Sequence, residues 1–378
     1  MHPLRVALVG FGLVAERGHL PAYLASMRSG GAFRLVAVAD VCAARRALAR
    51  RLVPEAHVYA DHDALLAAEK GRIDVVDIAS PPCDHAAIAA AALELDLDVL
   101  CEEPVAVSLD AAKQLFANAR RRGRVLFPCH DRAYAPVATN VRRALDSGRI
   151  GDVRIVTLQT FRHTYTRGVA EWRPEWRRDH DIGGGGIMMD QGSHSFYLAF
   201  DWLRAYPSSV SAMTSALRGG DTEDNVTCTM RFPGGRIATA YMTWTAGMSR
   251  ALYTIHGERG AIRVEDEDIE VVTKKMGRDG VVGWETESAW LGADGMDASH
   301  PASFGSVLDE LATAIAKRSV SSVHAEDALR SIEVIDAGYR SARLGGHEVP
   351  LGGEGRLDER TAPLYPASLV RDGTREAR

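Results

Sequence analysis

Six short apolar runs punctuate the first third of the chain, at residues 4–9, 34–39, 56–59, 73–79, 98–101 and 124–128. Helix-favouring segments separate them, such as Asp84 to Leu95 with its alanines and leucines. This alternation predicts an α/β domain of Rossmann type, a doubly wound parallel sheet with helices on both faces. After Gly151 the pattern changes. Strand-like runs at 153–162, 208–216, 225–232, 236–245, 251–257 and 261–264 succeed one another, some joined by turns such as Pro233-Gly234-Gly235. They predict an α+β domain with a mostly antiparallel sheet, interrupted by a helix around 193–204 and closed by an amphipathic segment from Ala325 to Leu344. The boundaries then read 1–130, 131–351 and a polar C-terminal tail or arm at 352–378.

Composition narrows the partners. The 378 residues carry 45 Lys and Arg against 50 Asp and Glu, a net charge of −5, and no basic block that would suit nucleic acid. No apolar stretch reaches the length of a membrane span, and Met1-His2-Pro3-Leu4-Arg5 runs directly into the first strand, leaving no room for a signal peptide. A cytoplasmic protein without a membrane partner is expected. Five cysteines with no C-x-x-C pair point to buried thiols rather than to disulfides or a metal site.

The first apolar run ends in Gly10-Phe11-Gly12-Leu13-Val14-Ala15. A strand that breaks at glycines and restarts as a helix aims backbone N–H groups at an anion such as pyrophosphate. Gly10 permits the turn, Gly12 lets phosphates approach, and Ala15 lets helix and strand pack closely. The second run ends in Asp40, placed to accept ribose hydroxyls and to repel a 2′-phosphate, which favours NAD over NADP. Arg45 and Arg46 come next and read as a solvated helix face. Two further strand ends, Ser80-Pro81-Pro82 and Glu102-Glu103-Pro104, border the same crevice.

A second constellation lies beyond: Trp172-Arg173-Pro174, Trp176-Arg177, four glycines at 183–186, and Asp190-Gln191-Gly192-Ser193-His194. The glycines read as close approach of the backbone to a ligand or another segment, with a flexible surface linker as the alternative. A helix beginning near Asp190 would place Asp190 and His194 one turn apart, His194 exchanging a proton and Asp190 orienting it. An N-capping aspartate followed by a satisfied core histidine is the alternative. Trp172, Trp176, Arg173 and Arg177 offer stacking faces and donors suited to a polyol, though packing in a core explains the tryptophans equally well.

In order and spacing these pieces resemble the Gfo/Idh/MocA oxidoreductase family. The resemblance rests on the glycine turn, His19-Leu20-Pro21-Ala22, Asp40, Ser80-Pro81-Pro82 with His85, Glu102-Glu103-Pro104, the glycine run with Asp190 to His194, and Glu223-Asp224. It implies NAD(P) contacts from Gly10, Phe11, Gly12, Leu13, Asp40, Ser80, Pro81, His85 and Glu102, a sugar or polyol substrate, and an open-faced sheet supporting a homodimer or homotetramer. It also implies substrate and proton-transfer roles for Asp190 and His194. One departure matters. Where the family has Glu-Lys-Pro this chain has Glu103, and an ionised carboxylate would repel the alkoxide that a lysine stabilises. Ala133, within His130 to Pro136, likewise stands where an arginine is frequent. The leading expectation is an NAD-dependent oxidoreductase acting on a secondary alcohol, with Glu103 as a further acid or base. Transient oxidation in a lyase, epimerase or glycosidase, and a non-catalytic dinucleotide-binding regulator, are the alternatives. Loops 163–182 and 283–302 are expected to set specificity.

Overall fold

The computed structural model describes residues 2–278, 280, 282–291 and 301–352. Its first sheet contains β1 (Leu4–Val9), β2 (Phe33–Ala39), β3 (His57–Tyr59), β4 (Val75–Ile78), β5 (Asp98–Cys101) and β6 (Leu126–Pro128), in the order β3-β2-β1-β4-β5-β6. All its pairings are parallel. Parallel neighbours need crossover connections. Here these contain α1 (Leu20–Arg28), α2 (Ala43–Leu52), α3 (His62–Ala68), α4 (Pro82–Glu94) and α5 (Leu109–Arg122). Asp61 and Ser108 cap α3 and α5 by accepting from Ala64 N and Ala111 N. Strand register aligns the carboxyl ends. Val9 lies opposite Ala39 and Ile78, Ile78 opposite Cys101, and Cys101 opposite Pro128, so residues 10, 40, 79–80, 102–103 and 129–131 emerge along one rim.

From α6 (Pro136–Asp146) the chain enters β7 (Val153–Phe161), then α7 (His180–Gly183) and α8 (Ile187–Leu203). Next come strands β8 (Ser209–Ser215), β9 (Asn225–Arg231), β10 (Ile237–Thr243), β11 (Arg250–Gly257), β12 (Gly260–Glu265), β13 (Asp268–Met276) and β14 (Val282–Trp290). Helices α9 (Pro301–Lys317) and α10 (Val323–Arg343) and the short β15 (Val349–Pro350) complete the described chain. The second sheet has nine strands in the order β14-β13-β12-β11-β7-β10-β9-β8-β15. Only β7 and β10 pair in parallel. Alternation along β7 and β10 turns Val156, Leu158, Ala238, Ala240 and Met242 into the core with residues of α8 and α10, while Ile155 and Ile237 face outward on the open side.

Three expectations change. Helix α8 starts at Ile187, earlier than Asp190, because Glu223 supplies the missing cap: its carboxylate accepts from Gly186 N and Met188 N. Residues 282–290, read as part of a specificity loop, form the edge strand β14, exposed along its length and absent from the cleft lining. Residues 292–300 of that loop, and the proposed tail beyond Gly352, lie outside the described residues. The third concerns a helix expected to belong with residues 131–351. Phe304, Val307, Leu308, Leu311, Ala314 and Ile315 of α9 share one buried core with β1, β2 and α1, so this helix packs in the first domain. Gly18 makes the fit possible, since a Cβ there would run into the Phe304 ring. No helix among the described residues is long and apolar enough to cross a membrane.

Candidate active site

The rim opens onto a cleft of about 360 Å³ walled by both domains. Gly10 has φ of +89°, and a Cβ there would lie 2.5 Å from Ser80 N, so this glycine lets the first turn press against the fourth strand's end. Gly12 differs: a Cβ would meet nothing within 4 Å, and Gly12 and Leu13 face the open cleft. Phe11, expected among the cofactor contacts, is fully buried in the core and its N–H donates to Asp40 Oδ2 at 2.6 Å. Its side chain fixes the turn from beneath. Asp40 lines the cleft and also accepts from Cys42 N at 2.7 Å, leaving lone pairs for a ribose hydroxyl.

Neither arginine after Asp40 is a solvated helix face. Arg45 is buried, donating to Phe11 O at 2.6 Å and Glu16 Oε2 at 2.6 Å, and Arg46 donates to the carbonyls of Asp40 and Val41. Arg45 braces the glycine turn and Arg46 the turn after β2. Neither guanidinium occupies the Asp40 carboxylate, which faces the cleft.

Ser80 and Pro81 line the cleft, and Ser80 Oγ is buried without a hydrogen-bond partner among the described residues. His85 bridges two turns, with Nε2 2.7 Å from Ser80 O and Nδ1 2.8 Å from Pro104 O. It acts on the cleft by fixing those turns. Glu102 lines the cleft too, and its Oε1 meets His19 Nε2 at 2.7 Å. His19 Nδ1 in turn meets Asp77 Oδ2 at 2.7 Å, which also accepts from Tyr23 OH. Burial disfavours charge on His19, but the Asp77 and Glu102 carboxylates prevail and raise it to about 10. Burial would raise Glu102, and the His19 imidazolium holds it below its ordinary range.

Beside this charged pair lies a second group that is largely neutral. Glu103 Oε1 is 2.8 Å from His130 Nε2, and Oε2 is 4.0 Å from His194 Nδ1. His194 Nδ1 also lies 4.0 Å from Asp131 Oδ1 and 3.2 Å from Tyr197 OH. Burial, reinforced by the Glu102 charge, pushes Glu103 well above the carboxylate range and Asp131 up to about 8. Burial, with Arg132 and His130 nearby, drives His194 well below its ordinary value. Burial thus favours the uncharged form of both the imidazole and the carboxyl that face each other across the cleft. Burial thereby opposes the ionised Glu103 from which repulsion was expected.

Asp190 and His194 both reach the cleft, but Asp190 does not orient His194. Its Oδ1 accepts from Arg177 Nε at 2.7 Å and its Oδ2 from Gln191 Nε2 at 2.6 Å. Trp172, Trp176 and Arg177 form the overhang, Arg177 sitting 4.2 Å from the Trp176 ring centroid. Arg173, expected beside them, is 63% exposed and lies outside the lining. The glycine run proves to be a packing device. A Cβ at Gly184 would strike Val107, at Gly185 the Tyr339 hydroxyl, and at Gly186 the Glu223 carbonyl. His130, Asp131 and Arg132 went unassigned in the sequence. Their signal was the crossover segment itself, since Asp131 and Arg132 come directly after β6 at the rim.

The lining suits a dinucleotide. Open space at Gly12, the carboxylate of Asp40 and the orphaned Ser80 hydroxyl are the features a phosphate, a ribose and a further polar group would satisfy.

Comparison with known proteins agrees. The oxidoreductase family's NAD-binding Rossmann fold matches residues 4–130, and its C-terminal alpha/beta domain matches residues 142–351. D-glucoside 3-dehydrogenase of Escherichia coli is 30% identical over 192 residues, 51% of this chain and 52% of that protein. The match therefore spans about half that relative's length. The oxidoreductase YdgJ of the same organism is 26% identical over 365 residues, 90% of this chain and 96% of that one. A levoglucosan dehydrogenase solved in complex with NADH shares the fold with a TM-score of 0.77 at 22% identity, covering 93% of this chain and 99% of that chain.

Proposed function

The chain belongs to the Gfo/Idh/MocA oxidoreductase family, and from that premise we propose that it is an NAD-dependent oxidoreductase interconverting a secondary alcohol and a ketone of a sugar, cyclitol or related polyol. The observation that carries this reading is the convergence of His194 Nδ1 and Glu103 Oε2, 4.0 Å apart, in the cleft that begins at Gly12, where burial favours the neutral form of each. Bound NAD would supply the hydride acceptor, and NADH the donor in the reverse direction. Gly12, Leu13, Asp40 and Ser80 would hold the dinucleotide.

The protein's own groups handle the proton. His194 Nδ1 accepts the hydroxyl proton during oxidation, and its imidazolium returns it during reduction. Glu103, kept protonated, donates a hydrogen bond to the reacting oxygen, replacing by a dipole what the family lysine supplies by charge. Asp190 fixes Arg177 over the cleft mouth, where Trp172 and Trp176 offer faces to a polyol and exclude water. Proton abstraction from carbon by Glu103, as transient oxidation followed by elimination would use it, needs the ionised carboxylate that burial disfavours. The open face of the nine-stranded sheet supports homodimer or homotetramer formation.

The decisive assay mixes purified protein with NAD and a panel of D-glucosides, anhydrosugars, inositols and sugar acids, monitoring reduced-cofactor absorbance in both directions. Turnover lost in His194→Ala supports the reading. No turnover with any member in either direction would overturn it and favour a regulatory dinucleotide-binding protein.

A further inference from the structure

The cleft contains several arginines with different circumstances. Arg45 is bound to Glu16 and two carbonyls, and Arg177 to Asp190 and Thr166 O. Arg132 faces the same cleft at 8% exposure, yet its Nε is buried with no hydrogen-bond partner among the described residues, and its guanidinium enters none of their ion pairs. The adjacent acids do not satisfy it. Glu103 Oε1 is directed at His130, and although the Arg132 charge draws both Glu103 and Asp131 down, burial outweighs it and neither carboxyl forms an ion pair with the guanidinium. A desolvated cation without a counter-ion is unfavourable, and an entering anion relieves that penalty.

We propose that Arg132 is the receptor for a carboxylate carried by the substrate, so that the site acts on a sugar acid or an acidic polyol rather than on a neutral one. This rests on the oxidoreductase reading above and specifies its substrate class. The dinucleotide phosphates are not the occupant. The glycine turn ends β1 and Arg132 comes after β6, with β4 and β5 between them, so three strand spacings of about 4.8 Å separate the two positions by about 14 Å. A carboxylate fits better than a phosphate for reasons of charge and shape. One planar guanidinium matches one monoanionic fork, whereas a dianion would face the ionised Glu102 with half its charge uncompensated. Arg132 also lies close enough to His194 for its charge to favour the neutral imidazole, so an acid seated there sits beside the proton acceptor.

The test uses calorimetric binding to the NADH-loaded protein, with NADH affinity measured separately. D-gluconate and D-glucuronate are compared with sorbitol and D-glucose, and D-glucose 6-phosphate forms the phosphate arm. The acids are expected to bind at least about 30-fold more tightly than the neutral compounds. Arg132→Gln should weaken acid binding about 100-fold, neutral ligands less than about 3-fold, and leave NADH affinity within about 2-fold. Arg132→Lys, which keeps the charge, should retain part of the acid preference. Neutral ligands bound as tightly as acids, or the phosphate bound tightest, would overturn the proposal. Equal weakening of acids and neutrals in Arg132→Gln would assign Arg132 a structural role and overturn it too. Should Arg132→Gln fail to fold, the wild-type preference and Arg132→Lys still decide. Turnover of neutral polyols without acid preference removes this inference alone, whereas NADH binding without turnover of any compound removes the oxidoreductase reading beneath it.

Discussion

Replacing His19 by Gln tests the buried charge that supports the rim. In the folded protein His19 lies between Asp77 and Glu102, each 2.7 Å away, and their carboxylates, against the effect of burial, push it up to about 10 from 6.5 for a free imidazole. A group whose folded value is raised contributes stability in full below its unfolded value and loses it as pH rises through the folded one. The gap corresponds to about 5 kcal/mol at 1.36 kcal/mol per pH unit, of which about 4 kcal/mol remains near pH 7 and about 1 kcal/mol near pH 9.5. Urea unfolding of wild type and His19→Gln should therefore show a stability difference that shrinks by about 3 kcal/mol between those two conditions. The five thiols of the unfolded chain ionise over the same window in both proteins. The difference between the proteins thus isolates the imidazolium. Imidazole resonances in selectively labelled wild-type protein give the same quantity directly. A His19 midpoint below about 8, or a stability difference independent of pH, would refute the charged bridge.

Gly12→Ala should fold with stability within about 0.5 kcal/mol of wild type, because its Cβ enters open space, while NADH affinity falls more than about 10-fold in a fluorescence titration. Gly186→Ala should lose about 2–4 kcal/mol in chemical denaturation, since the Cβ is driven onto the Glu223 carbonyl at the cap of α8. Glu103→Gln should raise stability near neutral pH and leave it unchanged near about pH 4: the raised folded pKa makes ionisation of the native carboxyl unfavourable only above its unfolded value. The same variant should keep most of its turnover near pH 7, because Gln also donates a hydrogen bond, whereas a loss beyond about 100-fold would show that Glu103 must release its proton.

What could be read from the sequence depended on how local each signal is. Gly10 and Gly12 were legible because a turn's φ and clearance depend on the residues that form it. Asp40 was legible from its position at a strand end. Arg45 was not, since its choice between solvent and the carbonyls of Phe11 and Gly12 depends on how α2 packs against the turn. Asp190 and His194 have the helical spacing anticipated for them, yet spacing says nothing of the third element that meets a side chain, and Arg177 reached Asp190 from the overhang. In α9 the apolar set Phe304, Val307, Leu308, Leu311 and Ile315 shows helical periodicity, but periodicity does not name the sheet it will cover. Strand β14 is exposed on both faces and so lacks the alternation that marks a half-buried strand.

Helix α9 also bears on how such proteins can be recombined. A segment some 170 residues downstream of the first domain's last strand completes that domain's hydrophobic interior through Phe304 and its neighbours. A gene fragment ending at residue 130 would therefore encode a sheet with one flank uncovered, prone to associate with other chains. Exchanging cofactor domains between relatives would require moving two separated stretches of coding sequence together. The interleaving makes the two halves of the chain a single heritable unit, in which a change at Phe304 is answerable to a glycine at position 18.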